Sequence, residues 1–339
     1  MRTKDKISRF IAKRGSASSA ELSKYLGISR QAVNAHMRGL LDAGTVVKTG
    51  STRNARYYAS SQAPATATFS RQLDLPGLDE SRVYTQIGTM LNLRKLLRAN
   101  VEAIVHYAFT EILNNAIDHS HAKKCQVKLI LSAGNLLFEI RETGIGVFYS
   151  IADKLNLHNE QEAMIELVKG KTTTMPEAHT GEGIFFTSKV ADRFSVRSHK
   201  IRIEWNRQQD DVFVSTPHSR KGTTVVFEIR RNSRTRLEDV FDKYAPEDYD
   251  YKFQKTKVHV KLLQPEYISR SEGKRLAYNL EKFIEVELDF RGVKNLGQGF
   301  ADEIFRVFAE DHPGTAIHAV NVSDNIIAMI RHVGGMAHR

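Results

Sequence analysis

Cysteine is almost missing from this chain of 339 residues: Cys125 stands alone. A single thiol cannot close an internal disulfide, so packing must hold the fold, and the expected setting is a reducing cytoplasm. Cys125 itself reads as filler in or near a strand. No apolar run is long enough to cross a membrane, and the basic N-terminus lacks the long apolar core of a secretory signal. Neither a membrane partner nor an exported protein is therefore expected. No sustained heptad pattern offers a coiled coil between copies. Acids are scarce at one end. Residues 1–60 hold twelve Lys and Arg against three Asp and Glu, so nine of the eleven net positive charges lie there. That imbalance points to a polyanion as partner for this end, nucleic acid first. Hydrophobic residues make up 41% and mean hydropathy is −0.38, as in a globular protein with room for two or three cores.

The stretch around which the rest is arranged is Phe109–Ser120, FTEILNNAIDHS. Phe109, Ile112, Leu113, Ala116 and Ile117 recur at helical spacing and predict one buried stripe. Glu111 and Asn115 stand one turn apart on the same face. A carboxylate there can take a proton from an attacking water, and an amide oxygen can bind a hard cation such as Mg²⁺. Three short motifs follow in order: Arg141-Glu142-Thr143-Gly144-Ile145-Gly146 after the strand-like LLFEI, Thr180-Gly181-Glu182-Gly183 before an apolar helix, and Lys221-Gly222-Thr223-Thr224 before VVFEI.

As a set, over roughly residues 70–230, these resemble the N, G1, G2 and G3 boxes of the GHKL ATPase superfamily. That group includes DNA gyrase B, the MutL proteins, histidine kinases and anti-sigma-factor kinases. The resemblance implies an α/β sandwich of the Bergerat type that binds ATP with Mg²⁺. Glu111 would be the general base and Asn115 the Mg²⁺ ligand. Glu142, Gly144, Gly146 and Thr223 would hold adenine, and Gly181 and Gly183 the phosphates. Family members carry Asp where this chain has Glu142, one methylene longer. Residues 147–180 are expected to form a helix and a lid over the triphosphate, with Lys169 and Lys171 as candidate phosphate contacts and surface lysines as the plainer reading. A histidine kinase places its phosphoacceptor His on an upstream helix. His106 instead shares the Glu111 helix and reads as structural.

Before this region, helices are expected at 4–14, AELSKYLG and RQAVNAHMRGLLDAG, stopped by Gly15, Gly27 and Gly44 and capped by Ser18 or Ser19 and by Ser29. Strands at Thr45–Lys48 and Arg56–Ala59 follow around a polar tip. Three helices and a basic hairpin resemble the winged helix-turn-helix family. That implies double-stranded DNA as partner, with Ser29, Arg30, Gln31, Asn34 and Arg38 in the major groove and Lys48, Arg53 and Arg56 on the wing. Residues 60–67 read as a linker, and two helices are expected at 79–95 and 98–119. Strands alternate with helices over the final ninety residues or so, predicting a small α/β layer. VELDFRGVKNLGQGFADEIF resembles a STAS-like domain, the fold of anti-anti-sigma factors. The phosphorylatable Ser of that fold is absent from Asn295–Gly299, which excludes self-phosphorylation there.

The expected architecture is multidomain α/β: a winged helix over 1–60, a GHKL sandwich over 68–231 and a STAS-like domain over 255–335. The expected function is a cytoplasmic, ATP-responsive, DNA-binding regulator that acts as a homodimer. One alternative is a partner-switching serine/threonine kinase acting on another STAS-like or sigma-regulatory protein. Another is a GHKL ATPase of DNA processing or defence, ranked third because no metal-dependent nuclease motif is present.

Overall fold

The computed structural model describes residues 3–43, 45–49, 55–59, 62, 65–173, 181–249, 252–262, 266–267 and 269–335. The first unit holds helices α1 (Thr3–Arg14), α2 (Ser19–Leu26) and α3 (Arg30–Asp42) and strands β1 (Val46–Thr49) and β2 (Arg56–Ala59). Its breaks have local causes. Gly15 and Gly27 take positive φ, which costs a glycine nothing. Ser18 and Glu21 form a reciprocal capping box, and the Ser29 hydroxyl accepts the Ala32 N–H at 3.2 Å. Ile7, Ile11, Leu22, Val33, Met37 and Tyr57 are among its core residues, and β1 pairs antiparallel with β2. Gly44 and most of the hairpin tip, Arg53 included, lie outside the described residues.

The central unit is built on a seven-stranded antiparallel sheet: β3 (Ala65–Asp74), β4 (Lys124–Ser132), β5 (Asn135–Glu142), β6 (Arg193–His199), β7 (Ile201–Asn206), β8 (Asp211–Ser215) and β9 (Arg220–Arg230). Their order in the sheet is β3-β4-β5-β9-β6-β7-β8. Burial alternates residue by residue along β5 and β7, so each buries one face. Helices α4 (Glu80–Leu91), α5 (Leu93–Leu96), α6 (Ala99–His119), α7 (Val147–Lys154), α8 (Glu160–Lys169) and α9 (Gly183–Val190) pack with the sheet in one core. The helix expected over 79–95 is broken at Asn92, which adopts a left-handed φ of +55°. The run VRSHKIRIEWN turns back on itself at His199, φ +48°, giving two paired strands. Within the expected linker, Ala65 already belongs to β3, and residues 60, 61, 63 and 64 lie outside the described residues.

The C-terminal unit contains α10 (Leu237–Tyr244), β10 (Lys255–His259), β11 (Glu266–Tyr267), α11 (Arg270–Ala277), β12 (Glu285–Asp289), β13 (Asn295–Leu296), α12 (Gln298–Asp302), α13 (Phe308–Asp311), β14 (Ala316–Val320) and α14 (Asp324–His332). Strands β10, β12 and β14 form a parallel sheet in that order, with β12 central. Helix α11 stops at Ala277, and Asn279 just beyond it takes φ +61°. The core of this unit is not closed on itself. Phe185 and Phe186 of α9 are buried among Phe253, Phe283 and Tyr244. Each such ring stabilises the join by roughly 1.5–3 kcal/mol, so α9 serves two cores at once.

Candidate functional site

Helix α6 buries Phe109, Ile112, Leu113 and Ala116 and leaves Glu111 and Asn115 half-buried on another face. His119 continues that row by one more turn. The helix ends at Ser120, whose carbonyl accepts the Ile145 N–H at 2.9 Å and whose hydroxyl donates to the Ala116 carbonyl at 2.5 Å. A Cβ on Gly144 would fall on that Ser120 carbonyl oxygen. The turn after β5 can sit against the end of α6 only because residue 144 has no side chain.

Glu142 ends β5 and is 4% exposed. Its carboxylate accepts the Gly144 N–H with one oxygen and the Thr223 N–H, at 2.5 Å, with the other. The Thr223 hydroxyl in turn accepts the Val147 N–H at 3.0 Å, where α7 begins. The extra methylene of Glu142 thus lets one side chain staple its own turn to β9. Each oxygen keeps a lone pair with which to accept a base amino group.

At the other end, Gly181 has φ +75°, and a Cβ there would stand 2.6 Å from the Thr172 carbonyl. A Cβ on Gly183 would overlap Glu111 Oε2. Gly183 opens α9, and the side chain of Glu182, the residue before it, makes no cap bond to that helix. The first N–H groups of a helix have no partner within it and suit an anion.

Between these ends lies a cavity of about 290 Å³. Six of the eight residues expected to hold nucleotide line it: Glu111, Asn115, Glu142, Gly181, Gly183 and Thr223. Gly144 and Gly146 stand behind the wall and allow close packing there, Gly146 against Ser198 and His199. Ile140, Val147, Ile151, Val196 and Val225 make the Glu142 end apolar, while Thr172, Thr173 and Glu182 join the Glu111 end. One apolar end with a fixed carboxylate and one polar end with exposed backbone suit a flat base joined to phosphates. The residues present therefore fit a nucleotide, and the Asn115 amide oxygen is an oxygen donor of the kind that can take a hard cation.

Charge shapes the surroundings. Burial, then the carboxylates of Glu111 and Glu182, push the Tyr107 phenol far above its ordinary range, so it stays protonated. Burial, with Glu142 nearby, pushes the Cys125 thiol up to about 11, which leaves it protonated and unreactive.

Sequence reasoning missed His119, Thr172, Thr173 and Glu182 as cavity residues. His119 was signalled by the four-residue spacing from Asn115, and Glu182 by its place between two motif glycines. Thr172 and Thr173 carry no local signal. Both readings of the two lysines fail. Lys169 is 1% exposed, paired with Glu166 at 2.5 Å and bonded to the Tyr278 carbonyl at 2.6 Å. Lys171 is half-buried and donates to Gln254 and the Lys282 carbonyl. Neither lies on an open surface, and both point into the C-terminal unit. Residues 174–180 of the expected lid lie outside the described residues. His106 stacks on Tyr84 with ring centroids 4.5 Å apart, a packing role.

In the first unit, Arg30, Gln31, Arg38 and Lys48 are exposed. Ser29 is engaged as a helix cap, and Asn34 accepts from the Ser19 hydroxyl at 3.1 Å. Arg56 is exposed but already engaged, donating to Ser16 at 2.9 Å with Glu21 3.7 Å away.

Residues 100–233, which contain every residue of this cavity, match the family model of histidine kinase-, DNA gyrase B-, and HSP90-like ATPases. Residues 272–326 match that of a STAS-like domain of unknown function (DUF4325). No curated protein matches the chain. A domain of the first kind implies nucleotide binding, typically with Mg²⁺. No helix among the described residues is long and apolar enough to cross a membrane.

Proposed function

We propose that this protein binds Mg-ATP in the cavity beside α6 and uses it to control a DNA-reading N-terminal unit. The observation that carries the nucleotide reading is convergence. Glu111, Asn115, Glu142, Gly181, Glu182, Gly183 and Thr223 come from four separate stretches of chain and face one cavity. Asn115 holds Mg²⁺, which supplies charge neutralisation to the phosphates. Glu142 and the apolar walls select the base. The N–H groups at the start of α9 receive phosphate oxygens. Glu111, packed against Gly183, is the carboxylate we assign to take the proton from a water attacking the terminal phosphate.

The DNA reading draws its support from the charge of residues 1–60 and from the exposed side chains on and after α3. Regulation requires that ATP favour one arrangement of the units over another. Arg230 offers a contact through which they communicate. Its guanidinium bonds the Ala43 carbonyl at 2.8 Å, just after α3, and pairs at 3.1 Å with Asp192, just before β6 of the central unit.

The test is to measure duplex affinity with and without Mg-ATP, and ATP affinity with and without duplex. The proposal expects each ligand to change the other's affinity by the same factor, as linkage demands. Mutual indifference would sink the switch, and transfer of labelled phosphate to a STAS-like protein would favour a kinase instead.

A further inference from the structure

The two lysines that sequence reasoning misplaced form one connected structure. Lys169 Nζ pairs with Glu166 and donates to the Tyr278 carbonyl at 2.6 Å, and its own carbonyl accepts the Thr256 hydroxyl at 2.5 Å. The second oxygen of Glu166 accepts the Asn279 amide at 2.9 Å. Two residues on, Lys171 Nζ donates to Gln254 Oε1 at 2.9 Å and to the Lys282 carbonyl at 2.6 Å, above the ring of Phe283. Gly170 between them admits Phe253, whose ring a Cβ would meet at 2.6 Å. Every partner except Glu166 belongs to the C-terminal unit. The next residue is Thr172, whose backbone lies against Gly181 and whose side chain is held by the Glu166 carbonyl at 2.9 Å. Thr172, Thr173, Gly181 and Gly183 are all on the polar wall of the cavity.

From this we infer that Lys169 and Lys171 are positioning residues, through which the C-terminal unit holds the phosphate-facing wall of the nucleotide cavity in place. The inference rests on the nucleotide reading above and adds its regulation: whatever engages the C-terminal unit would adjust phosphate binding and leave base binding alone. The base end has separate supports, since Glu142, Thr223 and Val147 are fixed to one another within the central unit. A buried ion pair sealed by amide and carbonyl partners is also costly to break on one side only, which suits a fixed register between two units.

The test places changes in the C-terminal unit, away from the cavity and without altering charge. Gln254→Ala removes the Lys171 acceptor. Asn279→Gly removes the Glu166 donor while keeping a residue that tolerates φ +61°. Binding of Mg-ATP and of AMP to the full-length chain is read by calorimetry. The double variant should bind ATP about tenfold more weakly, within the usual range of coupling between sites, with AMP affinity unchanged. Lys171→Arg, which keeps charge and reach, should retain the ATP-to-AMP ratio. Equal losses for both nucleotides, or no loss for either, overturn the inference. If the double variant melts early, Gln254→Ala alone gives the same comparison. An unsubstituted chain that binds neither nucleotide overturns the nucleotide reading itself, a result distinct from an unchanged ratio, and this inference falls with it.

Discussion

Replacing Glu142 by Gln isolates the role of the longer carboxylate. At 4% exposure the side chain has almost no water to fall back on. Both its oxygens accept backbone N–H groups, from Gly144 and Thr223. Glutamine keeps the shape but offers one oxygen, so its NH₂ must face one of those two donors. A hydrogen bond to a charged group, worth roughly 1.5–3 kcal/mol, is lost, and a buried donor is left unmatched at a further cost of about 1–3 kcal/mol. Allowing for relaxation, the net loss should be about 3 kcal/mol. At roughly 2–4 °C per kcal/mol for a domain of this size, melting should fall by about 6–12 °C. The assay is thermal unfolding of the full chain followed by circular dichroism, beside Glu142→Asp. The Asp side chain is a methylene too short to span both donors and should also be destabilised. A Gln variant melting within about 2 °C of the parent would refute the staple, because even one charge-assisted bond should show.

Gly183→Ala should leave the fold intact, since alanine suits a helix better than glycine and the atom it meets is the movable tip of Glu111. Displacing that carboxylate by about 1 Å should lower ATP turnover on the order of 100-fold, measured as phosphate release, while ATP still binds. Lys48→Ala should weaken duplex binding without regard to sequence and reduce the salt slope by about one, whereas Arg38→Ala should also relax sequence preference. Stability should rise with pH in two windows. Burial lowers His259 from 6.5 to about 4 and Lys189 from 10.5 to about 8. Between each pair of values the unfolded chain binds a proton that the folded chain does not, so raising the pH favours folding. Lys189→Met should flatten the upper window in melts from pH 8 to 10, below the range where the raised phenol of Tyr244 acts the other way.

Much of this molecule could be read locally. Helix α6 was legible because a three- and four-residue apolar rhythm and a polar pair on another face are both written within twelve residues. Gly15, Gly27, Ser18 and Ser29 announced the ends of the first helices by their own backbone and capping chemistry. The breaks at Asn92, His199 and Asn279 were not legible, because nothing in their neighbours demands a left-handed residue there. The misreading of Lys169 has the same root. Lysine at the head of a polar stretch suggests solvent, and only the fold reveals that Glu166 and the Tyr278 carbonyl meet it, with Asn279 holding Glu166 in turn. The double duty of α9 was hidden too, since IFF reads equally well facing one core or two.

The most direct measurement is equilibrium binding of ATP to the full-length chain with and without Mg²⁺, repeated on Asn115→Ala. The account predicts saturable binding of one ATP per chain, tighter with Mg²⁺, and loss of that Mg²⁺ enhancement in the variant. No saturable binding up to about 1 mM, the upper range of ordinary substrate affinities, would contradict it.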